Sequence, residues 1–204
     1  MSPGPTFERV YHALKEQLGS ARFAAGEHLE PATLSHELNA SITPVRDALH
    51  RLVGEGLVEA PRGDGFRVPV VTEVALRHLY RWNGALLDLA ARSRQGSDNR
   101  ELDLAGCSGA VERIECQVLA IAGWTGNPEH VDALARLNDR LRTVRRRELD
   151  LLGGVDQEIE SLAALVREGP SPLLRRALAA FHRRRERIVA EIVAALVSTK
   201  CRRP

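Results

Sequence analysis

The stretch Ser41-Ile-Thr-Pro-Val-Arg-Asp-Ala-Leu-His-Arg-Leu-Val-Gly-Glu-Gly-Leu-Val-Glu59 decides how the first third of the chain folds. Pro44 fits the first turn of a helix, where its missing N–H has no intrahelical partner. Ser41 or Thr43 supplies the N-cap, so a helix starts near Thr43. Val45, Ala48, Leu49 and Leu52 fall on one face at helical spacing, leaving Arg46, His50 and Arg51 outside that stripe. Gly56 suits a left-handed position just beyond the helix. Leu57-Val-Glu-Ala60 then reads as a short strand, Pro61-Arg-Gly-Asp-Gly65 as a turn and Phe66-Arg-Val-Pro-Val-Val71 as a second strand. A helix with an exposed polar face, followed by a hairpin with a basic tip, has the form of a winged helix-turn-helix.

Upstream, Phe7, Val10, Tyr11, Leu14 and Leu18 keep helical spacing and predict a first helix over 6–19. Ala25 to Leu29 reads as a turn into Pro31, and a helix over 31–39 buries Leu34 and Leu38. Asn39-Ala40 makes the tight turn into the decisive stretch. Residues 1–5, with two prolines, read as a disordered leader. Three short helices and a hairpin thus fill residues 1–71.

Beyond Pro69 the rhythm changes to long helices. They are predicted over 73–93, 108–122, 128–151, 155–168 and 172–198, with 94–99 a loop and 100–109 weakly patterned. Thr72, Asn127 and Ser171 stand as caps, the last two followed by proline. Val74, Leu76, Leu79, Leu86, Leu87 and Leu89 form the apolar part of the first of these helices. Arg183-Arg-Arg185 with Arg187 reads as a solvated face, and Trp82 and Trp124 as core or interface residues. The fold class is mostly α: a winged helix-turn-helix over 1–71 and an all-α bundle over 72–204.

At 204 residues the chain is long enough for two cores. It holds no run of about 18 apolar residues and no basic-then-apolar leader, so a cytoplasmic protein without membrane contact is expected. Cys107, Cys116 and Cys201 are odd in number and lack metal spacing. They read as free thiols of a reducing compartment, with Cys116 a buried structural thiol rather than a redox switch. Residues 1–71 hold seven Lys/Arg against nine Asp/Glu, an unusual balance for a nucleic-acid-binding domain. Weak non-specific binding should follow. No nucleophile–base pair, phosphate loop or metal cluster is present, which excludes the common enzyme classes.

Residues 1–71 resemble the DNA-binding domain of the GntR family of bacterial transcription regulators. The family pattern S-R-T-P-V-R-E-A-L-R-R-L-x-x-E-G-L-V is matched across Ser41 to Val58, with Gly26-Glu-His-Leu29 upstream and Arg62-Gly-Asp-Gly65 as the wing. The remainder is similar to the FadR-type effector domain (FCD). Leu79-Tyr-Arg-Trp-Asn-Gly-Ala-Leu-Leu-Asp-Leu-Ala-Ala91 and Gly126-Asn-Pro-Glu-His130 approach its patterns, with Asn83 and Leu87 replacing the usual Arg and Glu.

The resemblance implies a homodimer that binds double-stranded DNA at a pseudo-palindromic operator and answers to a small-molecule effector. Repression is its expected mode. The implied DNA contacts are Ser41, Thr43, Arg46, His50, Arg51, Arg62, Gly63 and Gly65. Arg46 can reach phosphate or a guanine edge; Ser41 and Thr43 can bond phosphate beside free N–H groups. Ile42 replaces the family's arginine and can at most touch a thymine methyl. In the effector domain, Asn83, Gln117 and His182 are the implied ligand contacts. The family's metal ligands fall on Glu112 to Val118, which holds no histidine, and near Glu158-Ile159. His182 alone remains, so neither metal nor other cofactor is expected. Lacking metal and arginine, such a cavity suits a neutral or apolar ligand. The alternatives are a winged-helix protein–protein adaptor and a constitutive DNA binder without ligand.

Overall fold

A computed structural model describes residues 5–93, 107 and 109–198. The readings of the leader, of 94–106, of 108 and of Cys201 lie outside those residues. The chain divides into two compact units, Met1–Val71 with Ala195–Pro204, and Thr72–Ala194. Of the described residues, those from 195 to 198, expected with the bundle, group with the first unit.

In the first unit, α1 (Pro5–Gly19), α2 (Pro31–Glu37) and α3 (Ile42–Gly54) enclose one apolar cluster. Val10, Leu14, Val45, Ala48, Leu49 and Leu52 are its buried centre. Asn39 closes α2 in the left-handed region at φ +47°. The Ala40 N–H reaches the Ser35 carbonyl and the Asn39 N–H that of His36, which satisfies the helix end. Gly56 repeats the device after α3 at φ +72°, with the Leu57 N–H on the Leu52 carbonyl.

The wing is leaner than a two-stranded hairpin, since among the described residues only isolated bridges form. Arg67 pairs antiparallel with both Glu59 and His28. Phe66 to Val68 therefore runs between two neighbours, and Gly26–Leu29, read as a turn, supplies the second. Gly26 sits at φ +75°, and a Cβ there would lie 3.3 Å from Val70, so the position requires glycine.

In the second unit, α4 (Glu73–Arg92), α5 (Ala110–Gly123), α6 (Pro128–Leu151), α7 (Val155–Glu168), α8 (Pro172–Arg187) and α9 (Val189–Ser198) as far as Ala194 form the bundle. Thr72, Asn127 and Ser171 cap α4, α6 and α8 by accepting from the N–H groups of Ala75, Glu129 and Leu174. Leu86, Leu87, Ile114, Ile121, Leu134, Leu137, Ile159, Leu174 and Phe181 pack its core. Val74, Trp82 and Leu89, however, face outward, each more than half exposed.

Two expectations for this unit are corrected. The helix predicted over 172–198 breaks at Ile188 without proline or glycine. Arg77 donates to the Glu186 carbonyl, the acceptor that the Ala190 N–H would use, so a side chain has entered the ladder. The thiols are not free either, because Cys107 and Cys116 form a disulfide. Their separation in sequence carried no metal or redox signature, and only the fold-back of the chain onto α5 brings them together.

Candidate nucleic-acid interface

Helix α3 begins at Ile42 with Ser41 as N-cap, one residue ahead of the expected start. Ser41, Ile42 and Thr43 are exposed, and Ser41 makes no side-chain cap bond. The first turn therefore presents unused N–H groups beside two hydroxyls, an arrangement that accepts a phosphate oxygen. Ile42, 47% exposed, offers only an apolar contact at this end.

The cations of this unit divide sharply. Arg9 donates to the carbonyls of Leu38 and Asn39 and so holds the turn before α3. Lys15 pairs with Glu55, Arg22 with Glu37, and Arg67 with Glu59 and Asp64. Arg51 pairs with Glu8 and Glu55 and lies 3.9 Å from the centroid of the Tyr11 ring. Its guanidinium is thus turned toward α1 while the side chain stays exposed. His50 is exposed, but its ring packs edge-on against Phe66 at 4.9 Å and braces α3 against the wing.

Arg46 and Arg62 remain. Both are exposed, and they are the two Lys/Arg side chains among described residues 5–71 without an internal partner. One lies on α3 and the other on the wing turn, where Gly63 and Gly65 take φ +80° and +67°. Of the residues read as DNA contacts, Ser41, Thr43, Arg46, Arg62, Gly63 and Gly65 are exposed, and so is Arg51, which in addition pairs with Glu8 and Glu55.

The three residues read as effector contacts are all buried in the bundle. Gln117 donates to the Ile159 carbonyl and ties α5 to α7. His182 Nδ1 lies 2.8 Å from the Leu178 carbonyl, and Nε2 lies 2.9 Å from the Asn83 side-chain amide. Burial pushes the His182 pKa down, helped by the positive charges of Arg185 and Arg145 and opposed by the Leu178 carbonyl. With the ring neutral, Nδ1–H donates to Leu178, and Nε2 accepts when the Asn83 amide turns its NH2 toward it. One amide atom of Asn83 remains buried without a partner. Both ring nitrogens are engaged, so His182 has no lone pair to offer a metal. Among the described residues, no group of three or more His, Cys, Asp or Glu side chains has metal-holding geometry.

This environment gives a pH expectation. The folded bundle disfavours the proton that His182 accepts when unfolded. The stability gained is complete above the ordinary value of 6.5 and is lost as pH falls toward the lowered folded value. Tryptophan-detected urea midpoints should decline as pH falls below 6.5, and His182→Gln should flatten the decline. An unchanged slope in the variant would assign the sensitivity to another group.

Sequence reasoning missed the charged interior beside this pair. Arg185 donates to Glu148, Glu158 and the Phe181 carbonyl, while Tyr80 donates to Glu148 at 2.5 Å. Arg145 donates to Asn138 and faces Glu115, which Arg142 also grips. Arg185 and Arg145 are 1% and 3% exposed. Arg185 is therefore no part of a solvated face, and the bundle interior is not free of arginine as the substitution at position 83 suggested. The available signal was the apolar stripe: Arg185 falls on the helix face of Leu178 and Phe181, and Arg145 on that of Leu137 and Leu141.

Residues 6–68 match the family model for bacterial regulatory proteins of the gntR family. An uncharacterized HTH-type transcriptional regulator of Bacillus subtilis, YdhC, is 27% identical over 88 residues. The match takes in 43% of this chain and spans only 39% of that relative's length. Two solved structures share the fold. McbR/YncC of E. coli superposes with a TM-score of 0.70 at 22% identity, over 93% of this chain and 99% of that one. A GntR-type transcriptional regulator from Rhodococcus sp. RHA1 gives 0.72 at 17% identity, over 92% and 99%.

Proposed function

We propose that this chain, whose residues 6–68 carry the gntR-family domain of bacterial regulatory proteins, is a transcription regulator that acts by binding DNA and not by catalysis. The observation that carries this reading is the division of cations: the two left unpaired in the described part of the first unit lie on α3 and the wing. Arg46 reads a base edge or phosphate, Arg62 approaches a groove beside Gly63 and Gly65, and Ser41 and Thr43 hold a phosphate at the helix start. Two heads in a homodimer cover the halves of a pseudo-palindromic operator, and their occupancy represses the gene behind it.

Capture of genomic fragments by the purified protein, followed by sequencing, tests this reading and names the operator. A good base contact contributes about 1–3 kcal/mol, so Arg46→Ala should weaken operator binding roughly tenfold to a hundredfold. Arg62→Ala should lower affinity and reduce the salt slope by about one. Arg51→Ala should act on stability and leave contact chemistry unchanged. Equal binding by Arg46→Ala and the parent would remove α3 from the reading.

The signal we assign is a neutral, hydrogen-bonding small molecule received at Asn83, which His182 holds in place. Its support is the buried, unpartnered amide atom of Asn83. Arg142, Arg145 and Arg185 face Glu115, Glu148 and Glu158, so no arginine there awaits a carboxylate. The same self-neutralised interior favours a second reading, a constitutive binder without ligand. A ligand at 100 times its Kd adds about 2.7 kcal/mol of stability. Thermal-shift hits among neutral compounds support the first reading, and a broad screen without hits supports the second.

A further inference from the structure

The disulfide Cys107–Cys116 is not a staple for a weak core. Neither sulfur belongs to the apolar cluster of the bundle, both residues are half-buried, and the bridge spans only nine positions. It joins the chain just ahead of α5 to the outer side of that helix, near its second turn. Gly109, the N-cap of α5 in an extended conformation, is the residue at which the chain passes from Cys107 into the helix.

Cys116 also stands between two buried polar residues through which α5 holds its neighbours. Glu115 takes Arg142 and Arg145 of α6, while Asn138 of α6 donates to the Glu115 carbonyl. Gln117 reaches Ile159 of α7. A protein that works on DNA meets the thiol pool of a reducing compartment, where disulfides are transient and catalytic or sensory.

We propose that Cys107–Cys116 is a reversible redox site, closed by a peroxide and opened by a small thiol, whose state is passed through Glu115 and Gln117 and alters DNA affinity. This rests on the DNA-reading function proposed above. In closure, one cysteine thiolate attacks a peroxide oxygen, the O–O bond breaks, and the departing hydroxide takes a proton to leave as water. The second thiol sulfur attacks the resulting sulfenic acid and releases a second water as the S–S bond forms. In opening, an external thiolate attacks one sulfur and frees the other as a thiolate, which takes a proton. A second external thiol resolves the mixed disulfide, leaving two cysteine thiols and one oxidised small-thiol dimer.

The full-length chain is equilibrated in glutathione buffers from fully reduced to fully oxidised, alkylated and weighed. The closed form should take one alkyl group, on Cys201, and the open form three, with a single transition between them. Cys201→Ser should shift these counts to none and two without moving the transition. A chain that takes one group throughout, or three throughout, overturns reversibility. Loss of closure in Cys201→Ser overturns the pairing.

Captured operator DNA, titrated with the Cys201→Ser chain in each state, should show affinities that differ by about fivefold or more. Equal affinities overturn the regulatory role. If neither state selects any genomic fragment, the DNA-reading function fails, while the alkylation counts still decide whether the site is reversible.

Discussion

Arg185→Met should cost the bundle about 3–5 kcal/mol, the usual penalty for leaving the partner of a buried ion pair uncompensated. Arg185 donates at 2.6 Å to Glu148, itself 1% exposed, and at 3.0 Å to Glu158. Methionine keeps much of the volume and the contact with the Phe181 ring but removes every donor. Glu148 then keeps the Tyr80 hydroxyl as a hydrogen-bond donor and the charge of Arg145 beyond it. Both tryptophans lie within Thr72–Ala194, so emission during urea denaturation reports this unit alone. Glu148→Met in the same background should recover part of the loss, because two apolar groups strand no charge. A midpoint that moves little in the single variant would mean that water or rearrangement rescues Glu148, and the cluster would no longer count as a buried network.

Leu49→Ala should be nearly as severe in the first unit. Leu49 is fully buried between α1 and α3. Removing a buried leucine side chain costs about 2–5 kcal/mol through lost transfer energy and the cavity left behind. A unit of this size has only about 4–10 kcal/mol in total, at roughly 0.05–0.15 kcal/mol per residue. The variant therefore gives up a large share of its stability on the helix that carries Arg46. Far-UV circular dichroism should gain an early transition while tryptophan emission keeps its parental midpoint, and operator binding should fall with the early transition. If both signals move together, the two units unfold as one and the loss cannot be assigned to the first.

Legibility followed the range of the interactions. The caps at Thr72, Asn127 and Ser171 and the left-handed Gly56 were readable because each is fixed by residues within four positions. The face of α3 was readable because its apolar stripe is regular and short. The third partner of the wing, Gly26–Leu29, was not, because bridge pairing to Arg67 is settled some forty residues away. The break at Ile188 was also hidden, since it depends on Arg77 from another helix.

Arg51 and Arg185 show the same limit in opposite directions. Arg51 sits outside the apolar stripe of α3 and read as a DNA contact, yet Tyr11, Glu8 and Glu55 engage it. Arg185 belongs to a run of arginines and read as solvated, yet Glu148 and Glu158 on two other helices make its burial tolerable. Where an arginine turns is decided by the acids that meet it, and Glu8 for Arg51, like Glu148 and Glu158 for Arg185, is distant in sequence, while only Glu55 lies one turn from Arg51. The electrostatics of the effector reading changed, since the bundle interior holds arginines from α6 and α8 that no position on α4 foretold.

The economy of unpaired charge among residues 5–71 has a consequence for the protein's traffic in a cell. Each phosphate neutralised releases counterions and contributes a salt slope of about −0.9. A dimer offering Arg46 and Arg62 from each head would engage about four phosphates electrostatically, fewer than the roughly ten of a strongly salt-dependent repressor. Bulk chromosomal DNA would then act as a shallow reservoir, holding few molecules at decoy sites and releasing them quickly. Most copies would stay available to the operator, so a small number per cell would suffice to keep it occupied.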